Sequence, residues 1–73
     1  MSRYIINQNA QPTGENEIHN DEKGVCDHLP NPENRILIGY YSTCQEAIIA
    51  ARTMWPKNII DGCAYCCPAC NTR

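Results

Sequence analysis

The chain is predicted to fold as an α+β domain: an antiparallel β-hairpin or three-stranded sheet packed on one helix and closed by a C-terminal CxxC knuckle. Three stretches carry this expectation. "RILIGYYS" has the β-branched and aromatic character of a strand. "STCQEAIIAARTMW" has helical periodicity and a start signal. "GCAYCCPACN" places four of the six cysteines in two back-to-back CxxC units, Cys63/Cys66 and Cys67/Cys70.

Taken in order, "RYIINQN" reads as a first strand that ends in amides. Pro12 and Gly14 mark a turn after it. "NEIHN" reads as the return strand, so residues 3–20 form a hairpin with a long loop. "NDEKGVCDHLPNPEN" is a loop interrupted by Gly24, Pro30 and Pro32, and it holds Cys26 and His28. In "RILIGYYS", alternation sets Ile36, Ile38 and Tyr40 on one side and Leu37 and Tyr41 on the other. Apolar residues on both faces predict a central strand. In the helix, Thr43 with Glu46 three residues later forms a capping box. Cys44, Ile48, Ala51 and Trp55 make one apolar stripe, widened by Ala47 and Met54, while Ile49 falls outside it. Pro56 stops the helix, because the residue before a proline is pushed out of the α region. "PKNIIDG" is expected only to lead into the cysteine turn.

Seventy-three residues make a single domain, 1–73. Domains below about 70–80 residues usually need a metal, disulfides or a partner subunit. This one has no Phe and a single Trp, so six cysteines are expected to act as cross-linkers. The start "MSRYIINQNAQPTG" lacks the apolar run of a secretory leader, and no stretch reaches the roughly 20 apolar residues of a membrane span. A cytoplasmic chain is therefore expected, in which clustered thiols more often hold metal than pair. The formal net charge is −2, and Arg3, Lys23, Arg35, Arg52, Lys57 and Arg73 are scattered. Nucleic-acid binders usually carry a basic patch, so a protein partner is favoured over nucleic acid.

CxxC is a bidentate zinc unit: two thiolates turn inward from one tight loop and meet an ion at about 2.3 Å. A closed zinc site needs four donors, so two more must come from elsewhere. Cys26, His19 and His28 are the candidates. Four sulfurs from the knuckle alone would strain its backbone. Cys44, on the apolar stripe, is most simply a buried small hydrophobe. Cys67 and Cys70 are open to three readings: free thiols, an accessory disulfide or an alternative metal pair. A redox CxxC is expected at a helix N-terminus, where the dipole lowers the thiol pKa, and this pair closes the chain instead. No nucleophile motif, phosphate loop or HExxH is present, so no enzyme is expected.

The ordered set "EIHNDEKGVCDHLP … NRILIGYYSTCQEAIIAA … DGCAYCCPAC" resembles the metal-binding domain of the Ada DNA-repair methyltransferase and related small stand-alone bacterial and phage proteins. The resemblance spans roughly residues 4 to 70. It implies that His19, Cys26, Cys63 and Cys66 hold one zinc ion, with Cys44 at a helix-start position and not a ligand. Histidine as the first donor has no thiolate to accept a methyl group, so the resemblance does not imply methyl repair.

Overall fold

A computed structural model describes residues 1–72. Among these, β1 (Ser2–Asn7), β2 (Glu15–Asn20), β3 (Arg35–Tyr41) and β4 (Ile59–Gly62) form one sheet in the order β3-β1-β2-β4. The helix α1 (Cys44–Met54) lies between β3 and β4 in the chain. Short 3-10 turns cover Pro32–Asn34 and Pro68–Cys70. The α+β class stands, and the expected β1–β2 hairpin is present with Ile5 opposite His19 and Ile6 opposite Ile18.

The start of α1 follows from its sequence. Thr43 accepts a hydrogen bond from the Glu46 N–H, and the Glu46 carboxylate accepts one from the Thr43 N–H, completing the capping box. Cys44, Ala47, Ile48 and Ala51 are buried against Tyr4, Ile6, Ile18 and Ile60 of the sheet, with Trp55 packed at the margin. Met54 is exposed, so the stripe is narrower than expected, and Ile49 faces outward.

Two expectations about the sheet change. β3 is an edge strand rather than a central one. Its pairing with β1 slips between Tyr4/Gly39 and Ile5/Leu37, which leaves Ile38 as an extra residue. Such a bulge reverses the side-chain alternation beyond it. Ile38 and Tyr41 consequently both pack toward the helix-side core, while Tyr40 is turned outward. The second change is β4, expected only as a connection. It adds a fourth strand parallel to β2, with Asn16 opposite Ile60 and Ile18 opposite Gly62. Buried Asn16 helps to dock it. Its amide donates to the carbonyls of Asn7 and Gln8 and accepts from Asn58, just ahead of β4.

The second face of the sheet is covered without a helix. Ile5 is fully buried yet stands outside the helix-side cluster. It shares its face with His19 and Leu37, its partners across the sheet. The loop 21–34 is pinned beside this face by polar bonds. Asp21 bridges Arg3 Nε and Arg35 Nη1, each at 3.0 Å. Arg35 Nε also donates to the Pro30 carbonyl at 2.8 Å, and the Arg3 N–H donates to Glu22. Burying one isoleucine fully contributes about 1.5–3 kcal/mol, so this face needs its cover held in place.

The C-terminal segment returns over the end of β4. Buried Asp61 accepts from the Thr72 N–H and hydroxyl, and the Asn71 amide donates to the Gly62 carbonyl. A Cβ at Gly62 would lie 2.7 Å from Cys70 Cβ and 2.8 Å from the Cys67 carbonyl oxygen. Only glycine lets the turn sit this close. Gly62→Ala is therefore expected to lower the unfolding free energy by about 1–3 kcal/mol through overpacking, and Thr43→Ala by about 1 kcal/mol through loss of the cap. Urea midpoints measured at unchanged slope would check both.

Candidate metal centre

His19 stands near the end of β2, and β4 runs parallel beside it. The chain leaving β4 thus reaches the same end of the sheet, where the Cys63 N–H donates to the Ile18 carbonyl at 3.0 Å. The knuckle turns back at once, its Cys67 N–H donating to the Cys63 carbonyl at 2.8 Å. Cys26 enters from the loop 21–34. Cys26 Sγ lies 3.8 Å from Cys63 Sγ and 3.8 Å from His19 Nδ1, and Cys66 Sγ lies 3.8 Å from the same nitrogen. The four donor atoms are all within 4.8 Å of one another. A tetrahedral ion with metal–sulfur bonds of about 2.3 Å has sulfur–sulfur edges of about 3.8 Å. His19, Cys26, Cys63 and Cys66 are therefore positioned to hold a metal ion.

Each of the three sulfurs already accepts a backbone N–H: Cys26 from His28 at 3.4 Å, Cys63 from Tyr65 at 3.4 Å and Cys66 from Asn20 at 3.3 Å. The first two follow one pattern, in which the N–H two residues on points back at the cysteine. Bonds of this kind favour the thiolate over the thiol. Burial opposes them. It raises the Cys26 thiol above its ordinary value and pushes Cys63 up to about 12. At the knuckle, the bond between Cys66 and Cys67 raises Cys66, with burial adding to it, and lowers Cys67. Without a cation the three donor thiols Cys26, Cys63 and Cys66 are held toward their protonated form. A bound metal supplies the charge that reverses this.

His19 is buried, and that burial lowers its pKa to about 4. The ring is neutral at neutral pH and offers Nδ1 as a lone-pair donor. Among the described residues its Nε2 is the only buried side-chain nitrogen or oxygen without a hydrogen-bond partner. Glu17 Oε1 lies 3.8 Å away. A metal on Nδ1 leaves the proton on Nε2, facing that carboxylate. Histidine ligands commonly donate their second N–H to such a group, which fixes ring orientation.

The rival donor His28 is not in the cluster. Its ring stacks on Tyr65 with centroids 3.7 Å apart and planes at 21°. Their N–H groups serve Cys26 and Cys63, so the stacked pair joins the two donor loops. Cys67 is a buried free thiol. Cys44 is buried as expected, but it is also bonded to Cys70, with their Cα atoms 6.3 Å apart. The spacing within "CPAC" hid this pair, because its partner lies 26 residues earlier in the chain.

Two outcomes are expected of the site. Metal binding at about pH 7.5 should release close to three protons, one per thiol, because an exposed histidine is already mostly neutral there and buried His19 more so. The apparent affinity should therefore rise with pH by about a thousand-fold per unit, and calorimetry in buffers of different ionisation enthalpy reads the count. Glu17→Gln should weaken metal binding by about ten-fold through loss of the carboxylate charge that faces Nε2 at 3.8 Å, as competition with a chelator of known affinity would measure.

Comparison of the chain with protein-family models, with curated proteins and with solved structures finds no match.

Proposed function

We propose that this chain is a small non-enzymatic zinc-binding module that acts in macromolecular interaction, with a protein as its partner. The observation that carries the reading is the convergence of three sulfurs and one imidazole nitrogen, each sulfur already accepting a backbone N–H. Three soft thiolates and one imidazole in a tetrahedral arrangement suit zinc over magnesium or calcium, which prefer oxygen donors. Four protein donors fill a tetrahedron and leave no open position for a substrate, which supports a structural role. With a dipositive ion the set carries a net charge of −1, beside a chain whose own formal charge is −2. That balance favours a protein surface over phosphates. Ile49 on the outer face of α1 and Tyr65 on the knuckle are 65% and 69% exposed and offer a partner apolar side chains. Tyr41 packs against the core and is not part of such a surface.

A cytoplasmic setting belongs to the proposal, since thiol donors stay reduced there until metal takes them. Among the described residues no helix is long and apolar enough to cross a membrane. Kinship with the Ada-type metal-binding domain is also part of the proposal and rests on the ordered donor set alone. The alternative of a metal-handling or redox tandem CxxC is weaker, because Cys70 is engaged with Cys44 and Cys67 is buried.

Elemental analysis of protein purified under reducing conditions is expected to find one zinc per chain. Chelation should unfold the domain, because structural zinc contributes apparent binding energies of about 10–16 kcal/mol in finger peptides, more than a small domain's own stability. Folded protein free of metal would sink the reading. In a DNA titration, affinity that drops steeply from low to physiological salt would move the partner to nucleic acid.

A further inference from the structure

We infer that Cys44 and Cys70 form a thiol–disulfide exchange site that closes once the metal has set the knuckle, and that the closed bond retains the metal. This inference rests on the metal-binding reading. Cys44 is the first residue of α1, and Cys70 ends the turn Pro68–Cys70. Both are buried in the helix-side core, away from His19. What places Cys70 against Cys44 is the knuckle. Hydrogen bonds run from the Cys67 N–H to the Cys63 carbonyl and from the Cys70 N–H to the Cys67 carbonyl. Gly62 lets the turn lie flat on the end of β4. Cys63 and Cys66, at the start of this series, are metal donors. An ion that fixes them also fixes the position of Cys70.

The other sulfurs are arranged differently. Cys26 and Cys63 stand 3.8 Å apart, a separation for sharing an ion and too long for a bond. Cys67 shares the core cluster with the pair but is itself a free thiol. Among the described residues the oxidation-ready pair is thus separate from the metal donors.

The step balances with a small-molecule disulfide as oxidant. One thiolate of the pair attacks RSSR, breaking its S–S bond and releasing RSH. The second thiolate then attacks the mixed disulfide, forms the Cys44–Cys70 bond and releases a second RSH. Two cysteine protons and two electrons pass to the oxidant. Metal release requires the knuckle to open at Cys63 and Cys66. With Cys70 tied to α1, the segment 63–70 is anchored at both ends and opens less often. The coupling is reciprocal, so bound metal favours closure as closure favours bound metal.

The test uses the full chain loaded with zinc and then exposed to glutathione disulfide. Alkylation and peptide mapping should find the single bond Cys44–Cys70 with zinc retained. Transfer of zinc to a chromogenic chelator should be about ten-fold slower than from the same protein kept reduced. The double variant Cys44→Ala, Cys70→Ala should release zinc at the reduced protein's rate and ignore the oxidant. If that variant does not fold, the oxidised and reduced forms of the natural chain decide by themselves. Oxidation at Cys63 or Cys66 with loss of zinc, or equal release rates from both forms, would overturn the inference and leave the zinc reading standing. A chain that takes up no zinc at all would sink that reading, and the coupling with it.

Discussion

A sheet with two apolar faces must be covered on both, and the described residues include one α-helix with which to do it. α1 shields Tyr4, Ile6, Ile18 and Ile60. Ile5 on the other side is left to a loop rich in polar residues, Gly and Pro. Such a segment buries too little apolar area to offset the entropy of ordering its backbone, which costs about 1–2 kcal/mol per residue. Its stability has to come from directed bonds. Asp21 between two arginines supplies one anchor. Cys26, facing His19 and Cys63, supplies the other. The candidate metal centre lies where this loop meets the open face of the sheet, and the rest of the architecture brings its donors to that point.

The parallel strand β4 is the device that makes the convergence work. Antiparallel to β2, it would deliver the knuckle to the opposite end of the sheet from His19. Running parallel, it ends where His19 stands, and the Cys63 N–H bonds to Ile18 directly. The long connection through β3 and α1 is what a parallel pairing requires. The helix therefore serves twice, covering the core and carrying the chain back to the correct end.

The six cysteines divide by face and by chemistry. Cys26, Cys63 and Cys66 converge with an imidazole and accept backbone N–H bonds, an environment that suits thiolates around a cation. Cys44, Cys67 and Cys70 lie in the helix-side core among isoleucines and alanines, where a neutral thiol or a disulfide behaves as apolar volume. Adjacent Cys66 and Cys67 are the boundary between these environments. The peptide bond between them is where the candidate metal centre meets the core.

Much of this was legible from the sequence, because it depends on local chemistry. Thr43 with Glu46 specifies the start of α1, Pro56 its end, and the spacing of Cys44, Ile48 and Ala51 its buried face. Residue types and spacing narrowed the donors to the CxxC cysteines with Cys26, His19 or His28, a family resemblance implied His19, Cys26, Cys63 and Cys66, and the fold brings those four together. What only the tertiary structure decided is long-range. A strand of four residues between a proline and a cysteine turn has no pattern long enough to show that β4 pairs with β2. The bulge at Ile38 shifts the alternation of β3 through its register with β1, which periodicity within one strand cannot contain. His28 is excluded in favour of His19 because its ring is taken by Tyr65. Cys44 meets Cys70 because the knuckle, once folded over Gly62, places the last cysteine against the first turn of a helix 26 residues before it.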